Sequence, residues 1–378
     1  MNFMKNNDEI IIRKAQVKDI DNLTRFFIKA YGNQTIFQDK NFLLYYFDAF
    51  NAKSEPFSHS LIAVAPEGEI VSHYGGLFYE LKLNQKIISM IWGVNAYTLP
   101  DWRGKQINSK IVNFIHNNNE ANAVIGMPFE APFFYKKLGY NIFDKKTLKR
   151  FIYVFDSRAF DISVQLNHDI EKLKNLLKIN SSEIMIPGCE DIVELTRKNF
   201  RNFSFDLEVN SIITTNRNVD FLNWRLFNNP FINYNLYGFL KNNSIISYIA
   251  LREEILEPGN LSVTRIVDLF GDHAGISALL KHTIGICSKN GSVYIDFSMF
   301  GKLYEQELLS AGFSKLENDE VPILPMVLAP VEKRPNHEFI VLQSKNHDKE
   351  IKNLSAEDVY FTRIDGDRDR IARITQLL

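Results

Sequence analysis

Several things are scarce in this sequence. Of 378 residues only two are cysteine, Cys189 and Cys287. Two are too few for a disulfide scaffold or a cysteine zinc site, and they suit a compartment where thiols stay reduced. No apolar run approaches the ~18 residues of a membrane-spanning helix. The first eight residues lack the apolar core of a signal peptide. A cytoplasmic protein without a membrane partner is expected. No excess of one charge exists either: 44 Lys and Arg stand against 45 Asp and Glu, for a net charge of -1. Nucleic-acid binders draw affinity from clustered basic side chains, so no nucleic-acid partner is expected. Nucleotide-binding G-x-G-x-x-G, P-loop, G-x-S-x-G and H-E-x-x-H patterns are all absent. The eight histidines lack ligand spacing, and no metal is expected. Asp365, Asp367 and Asp369 invite a calcium reading, but Gly366 stands second instead of sixth and Gln376 replaces the closing glutamate. A solvated or salt-bridged turn is expected there.

What is present is ordinary globular material, 45% hydrophobic and 24% charged, with 30 Phe and 15 Tyr. Disorder over most of the chain is excluded. At roughly 100–200 residues per domain the length admits two or three domains. One order of elements occurs twice. Glu9-Ile10-Ile11-Ile12 reads as a strand, followed by a helix whose apolar face is Ile20, Leu23, Phe26, Phe27 and Tyr31. Glu183-Ile184-Met185-Ile186 reads as its counterpart strand, with a helix starting at Asp191-Ile192 and Leu195-Thr196-Arg197. A hairpin over 61–73, turning at Pro66-Glu67-Gly68, matches one over 236–248, turning at Asn242-Asn243. Strands near 87–99 and 262–270 follow, then helices near 105–119 and 274–289. Short apolar strands come next, Ala123-Val124-Ile125-Gly126 and Ser292-Val293-Tyr294-Ile295. Each half ends on a helix capped by glycine, at Leu138-Gly139-Tyr140 and Ala311-Gly312-Phe313.

These repeats predict an α/β chain of mixed-sheet α+β units. The first unit spans 1–150, a linking strand and helix 151–182, the second unit 183–317, and a C-terminal extension 318–378 with Pro322, Pro325, Pro330 and Pro335.

The most informative segment runs Tyr97-Thr98-Leu99-Pro100-Asp101-Trp102-Arg103-Gly104-Lys105-Gln106-Ile107-Asn108-Ser109-Lys110. A strand ends, a tight basic loop follows and a helix begins. Unpaired N–H groups at a helix start, with the helix dipole, make an anion site suited to a pyrophosphate. Arg103 and Lys105 add positive charge. About 30 residues later comes Phe134-Tyr135-Lys136-Lys137-Leu138-Gly139-Tyr140. In this order the two segments resemble the GNAT family of CoA-dependent N-acyltransferases. That family's loop reads Gln or Arg, two residues, Gly, one residue, Gly or Ala; here Arg103 matches, and Gln106 and Asn108 fill the two small-residue positions. The resemblance covers 9 to about 150, with a degenerate copy over about 183–317. The second copy's loop, Phe270-Gly271-Asp272-His273-Ala274-Gly275-Ile276, has no basic residue before its helix.

The resemblance implies two tandem GNAT-like domains, each a central mixed sheet flanked by helices. It implies an acyl-CoA cosubstrate, acetyl or a short 3-hydroxyacyl, held by the first unit alone. Gly104, Lys105, Gln106, Ile107, Asn108 and Ser109 would hold the pyrophosphate beside Arg103. Main-chain groups of Tyr97, Thr98 and Leu99 would hold the pantetheine arm, with an N–H of Thr98 or Tyr97 polarising the thioester carbonyl. Tyr135 would protonate the departing thiolate. His73 and Glu130 are candidate bases, each with a bland alternative as a satisfied histidine and a helix cap. Asn95 is a candidate for orienting substrate. The aromatic stretch Phe221-Leu222-Asn223-Trp224-Arg225-Leu226-Phe227-Asn228-Asn229-Pro230-Phe231 is either packing or a nucleotide platform, with Trp224 stacking a base and Arg225 gripping a diphosphate. It and the tail over 360–369 resemble segments of tandem-GNAT proteins of surface-polysaccharide pathways. The acceptor so implied is a nucleotide-linked amino sugar, such as a dTDP-3-amino-3,6-dideoxyhexose of O-antigen or capsule assembly, met by a monomer or homodimer. The alternatives are a peptide, aminoacyl or polyamine acceptor, or a non-catalytic module that binds CoA or a nucleotide.

Overall fold

The computed structural model describes residues 10–47, 55–143, 147–164, 170–180, 190–209, 212–256, 260–328, 331–332, 339–371 and 373. The first half supplies strands β1 (Ile11–Lys14), β2 (Leu61–Val64), β3 (Ile70–Leu83), β4 (Lys86–Thr98), β5 (Ala121–Ile125), β6 (Asn141–Phe143) and β7 (Leu148–Val154). Its helices are α1 (Ile20–Tyr31), α2 (Lys40–Tyr46), α3 (Ile107–Asn118) and α4 (Ala131–Lys137). The second half supplies β8 (Ile192–Leu195), β9 (Asn235–Lys241), β10 (Ser244–Leu256), β11 (Leu261–Gly271), β12 (Ser292–Phe300), β13 (Ser314–Glu317) and β14 (Ile340–Ser344), with helices α5 (His273–Lys289) and α6 (Glu305–Ser310).

The local reasons are visible in the sequence. Helix α1 buries Leu23, Phe26 and Phe27, one stripe at helical spacing. It stops at Gly32, whose φ of 88° suits a residue without Cβ. The β9–β10 hairpin turns on Asn242 and Asn243, both with positive φ, the backbone that a two-residue hairpin requires.

Two sheets result, and they have the same plan. Hydrogen-bonded order in the first is β1-β2-β3-β4-β5-β14-β6; in the second it is β8-β9-β10-β11-β12-β7-β13. In each, the third strand runs antiparallel to the fourth and the fourth parallel to the fifth. Each sheet is then completed by a strand from the other half. β7 leaves the first unit and inserts between β12 and β13, placing Phe151 opposite Phe297 and Ile152 opposite Ser314. β14, from the C-terminal extension, inserts between β5 and β6, with Ile340 opposite both Ile125 and Phe143. All five residues of β14 are buried. A hydrophobic cluster containing Phe27 and Trp92 of one half also contains Phe297 and Tyr360 of the other.

One expectation for the second unit is corrected. The run from Asp191 to Arg197 does not begin a helix: Ile192–Leu195 is strand β8, paired with β9 as β1 is with β2. The strand expected over 183–186 lies outside the described residues. Among the described residues no helix is long and apolar enough to cross a membrane.

Candidate active site

The first unit's sheet splits at a fork. β4 and β5 pair from Met90 opposite Ala121 to Gly93 opposite Val124, then part, while β4 continues to Thr98 along β3. Within that stretch β4 bulges. Val94 faces Gly75 and Tyr97 faces His73, so Asn95 and Ala96 together oppose Tyr74. Asn95 takes the left-handed backbone that the bulge needs, at φ 50°. Beneath it His73 Nδ1 donates to the Asn95 carbonyl at 3.2 Å. The imidazole lies among Phe26, Phe27 and Phe47, and burial pushes its pKa down to about 4. Neutral and enclosed, His73 braces the bulge. Its Nε2 and the Asn95 side-chain nitrogen are buried with no hydrogen-bond partner among the described residues.

The strand end is largely committed on one side. Leu99 N–H donates to the Val71 carbonyl at 2.9 Å, and the Tyr97 carbonyl accepts from Ser72 Oγ at 3.1 Å. Because an antiparallel ladder alternates, pairing at Leu99 turns the N–H of Thr98 away from β3 and into the fork. The Thr98 carbonyl accepts from Arg103 Nε at 3.1 Å, and the Arg103 guanidinium lies 5.3 Å from the Tyr97 ring centre.

A cleft of about 630 Å³ opens from this fork, lined by Tyr97, Thr98, Trp102, Gly104, Asn108 and Phe134 among others. Arg103, Gln106, Ile107 and Ser109 also face it. Gly104 at φ 78° and Gln106 at φ 59° turn the chain into α3. The glutamine thus adopts the backbone that a glycine there would take freely, at a cost of about 1 kcal/mol. Among the described residues no side chain caps α3, and its first turn, from Ile107 to Ser109, lines the cleft. Lys105 Nζ sits 4.1 Å over the Trp102 ring. Pyrophosphate chemistry fits this cradle: unpaired donors, a helix dipole and two cations.

On the cleft's other wall is α4. Tyr135 is buried against Tyr140, their ring centres 5.1 Å apart, and against Tyr74. Burial raises the pKa of Tyr135 well above the usual phenol value, so it stays protonated at neutral pH. Tyr74 was not anticipated. A Cβ on Gly93 would stand 1.8 Å from its hydroxyl, so the phenol lies across the floor of the fork. The signal was a glycine inside a strand, which marks a close approach. Glu130 is exposed at the start of α4 and caps nothing with its side chain.

The second unit has the same parts in a closed form. Asp272 caps α5, its carboxylate accepting from Ala274 N–H at 3.0 Å and Gly275 N–H at 3.2 Å. The chain's own carboxylate occupies the place an anion would take. The gap between β11 and β12 holds residues of the C-terminal extension: Phe300 N–H donates to the Phe361 carbonyl, and Tyr360 and Thr362 hydrogen-bond to Leu269 and Asp268 on β11.

The aromatic stretch around Trp224 and Arg225 lies away from the cleft. Arg225 is 2% exposed and donates to the carbonyls of Ile364, Gly366 and Asp369 at 3.1–3.2 Å. Trp224 lies among Tyr45, Tyr79 and Phe221. Both hold the C-terminal segment and α2 of the first unit together, and neither faces the cleft. Asp365 pairs with Arg217 at 3.0 Å and Asp369 with Arg252 at 2.9 Å, both buried. No group of three or more His, Cys, Asp or Glu is placed to hold a metal among the described residues. Cys287 is free and buried, which pushes its thiol up to about 11; Cys189 lies outside the described residues.

Residues 11–143 match the family model of the acetyltransferase (GNAT) domain. No curated protein was found to match the sequence. Among solved structures, a GCN5-related N-acetyltransferase from Kribbella flavida is similar over 89% of this chain and 71% of its own, with 12% identity and a TM-score of 0.50. A protein of unknown function from Enterococcus faecalis, described as a probable N-acyltransferase, matches over 89% of this chain and 72% of its own, at 12% identity and TM-score 0.52. A GCN5-related N-acetyltransferase from Anabaena variabilis matches over 89% and 73%, at 9% identity and TM-score 0.52. At such identities the likeness is one of fold. Residues 11–143 are thus similar to a GNAT acetyltransferase domain, within a two-sheet architecture shared with these structures.

Proposed function

We propose that the protein transfers an acyl group from acyl-CoA to a primary amine at the fork between β4 and β5. The observation that carries this reading is the open fork leading straight to an uncapped helix start, inside the matched domain. Acyl-CoA supplies an activated thioester. The start of α3, with Arg103 and Lys105, holds its pyrophosphate. The Thr98 N–H polarises the thioester carbonyl as charge builds on the oxygen. The amine forms the C–N bond as the C–S bond breaks, and Tyr135 gives its proton to the leaving thiolate. His73 and Asn95 hold the bulge that aims these groups. Among the described residues no side chain is placed as a dedicated base, and the attacking amine loses its proton to solvent.

The acceptor is the finer part of the proposal. A nucleotide-linked amino sugar for O-antigen or capsule assembly remains the first acceptor to test, supported by the resemblance of the C-terminal segment. Arg225 and Trp224 do not contribute to it, because both are committed to inter-unit packing. Cytoplasmic location is part of the same proposal.

The test is thiol release from acetyl-CoA and 3-hydroxyacyl-CoA across amino-sugar nucleotides, peptides, aminoacyl compounds and polyamines. Tyr135→Phe is expected to lower kcat roughly 100-fold with little change in KM for acyl-CoA. Arg103→Ala is expected to raise that KM. Release of no thiol by the wild type with any pair would sink the catalytic reading and leave a CoA-binding module.

A further inference from the structure

Beside the mouth of the cleft stands an exposed aromatic ridge that the proposed reaction does not use. Among the described residues no large apolar side chain is more exposed than Phe133, at 62%, and Phe129 stands at 55%. Both flank the cleft directly, because their chain neighbours Phe134 and Pro128 line it. The two rings lie 6.5 Å apart, and Phe129 rests on the buried Phe339 at 6.2 Å between ring centres. Paired, anchored rings in the open mark an interaction surface, where single exposed apolar residues would not.

Charge around the ridge is positive. Lys136 and Lys137 follow Phe133 by three and four positions on α4, so they share its exposed face. The cleft's basic loop adds two exposed cations, Arg103 in the lining and Lys105 over the Trp102 ring. Asp101 and Glu130 are the acids in these two segments, two against four bases. The chain as a whole is balanced at -1, so the excess is local. Two occupants fit the ridge poorly. A flat nucleobase finds no slot, because the ring planes stand at 71°. A membrane finds only two partly exposed rings on a helix of seven residues, far short of the amphipathic stripe that lies in a bilayer. An acidic protein surface meets both the aromatic anchors and the lysines, and a brief encounter needs no large interface.

We propose that the ridge docks an acidic carrier protein, one that presents the acyl thioester on a phosphopantetheine arm. This rests on the acyl-transfer reading above and gives the same cleft a second class of donor. Phe129 and Phe133 seat the partner's apolar surface, and Lys136 and Lys137 pair with its carboxylates. The arm's phosphate takes the start of α3, and the arm runs along Tyr97 and Thr98 as that of CoA does. The chemistry is unchanged. The amine's C–N bond forms as the C–S bond breaks, Tyr135 supplies the thiolate's proton, and the carrier leaves with a free thiol.

The experiment compares two donors, acyl-CoA and a phosphopantetheinylated acyl carrier protein bearing the same acetyl or 3-hydroxybutyryl group. Thiol release gives KM for each donor across the amine panel, and fluorescence anisotropy of the labelled carrier gives binding without turnover. Micromolar binding that weakens with salt is expected. Phe133→Ser, and Lys136→Glu with Lys137→Glu, are each expected to raise KM and Kd for the carrier roughly tenfold, and to leave KM for acyl-CoA within about twofold. Equal carrier binding by the wild type and Phe133→Ser overturns the proposal and leaves acyl transfer from CoA intact. Failure of the wild type to bind the carrier at about 100 µM overturns it as well. A dimer, or attachment to phosphatidylglycerol vesicles, that is lost in Phe133→Ser while no carrier binds gives the ridge another occupant and refutes the carrier. If neither donor releases thiol, the acyl-transfer reading falls; carrier binding lost in Phe133→Ser then still supports the docking site, and binding retained in that variant refutes it.

Discussion

His73 is placed where a catalytic base would be sought, next to the strand that carries the thioester, yet its surroundings give it another role. Three phenylalanines enclose it, and its one hydrogen bond goes to the carbonyl of the bulge. The folded protein resists protonating it, with a pKa of about 4 against an ordinary 6.5. The unfolded chain takes up that proton near its ordinary value. Between about pH 6.5 and pH 4 the unfolded state binds more protons, so stability falls as pH falls. Above that window the contribution is complete. The shift corresponds to about 3 kcal/mol. Urea denaturation at several pH values should show this loss in the wild type, and His73→Gln should remove most of it. Parallel pH curves for the two proteins would contradict the assignment.

The same chemical parts give different outcomes depending on the element that carries them. α3 and α5 occupy equivalent places after the fourth strand of each sheet. α3 starts from a glutamine in left-handed conformation with no cap, whereas α5 starts from an aspartate that satisfies two N–H groups. One helix start is open to an anion and the other is filled. Glycine also acts differently by position. Gly104 has φ 78° and nothing within 4 Å of an added Cβ, so Gly104→Ala should cost about 1 kcal/mol of stability through backbone strain alone. Gly93 carries no such strain, but its Cβ would displace the Tyr74 hydroxyl. Gly93→Ala is expected to lower the rate of thiol release at least roughly tenfold, by moving the floor of the fork, and to leave α3 and its anion site in place. Unchanged turnover in Gly93→Ala would show that the fork floor is not part of the machinery.

At the scale of the molecule, exchange of β7 and β14 ties the halves into one folding unit. Neither sheet is complete without a strand from the other half, and residues 359–366 run buried between them. Buried ion pairs reinforce the junction: Arg150 with Asp296 at 2.7 Å, and Arg217 with Asp268 at 2.8 Å. Arg225→Met would strand three buried carbonyls of the C-terminal segment without a donor. The expected loss is about 3 kcal/mol or more. Denaturation should still show one transition, with acyl-CoA binding and global structure lost together. Two separate transitions would refute the single-unit picture.

Much of this was readable from the chain. Periodicity located α1, α3 and α5, and Asn242-Asn243 located a hairpin, because helix faces and turns are set by near neighbours. The basic loop at 103–109 and the helix start after it were legible for the same reason. The run Asp191 to Arg197 misled because four or five residues fit a period of 2 as readily as 3.6; pairing with β9 chose the strand. Arg225 stayed open between packing and a phosphate ligand because burial is not written beside a residue. It depends on carbonyls nearly 140 positions away. So it is with the whole. By itself the sequence determined two copies of one αβ pattern and a basic loop before a helix in the first. Only the tertiary structure decided that the copies trade strands, that the second cleft is filled by the chain's own tail, and that the tail then meets the first unit at Thr35 and Phe37. β7 and β14 are both short strands with apolar residues, each fit to close either sheet. The choice between them rests on contacts across hundreds of residues, which no local spacing records.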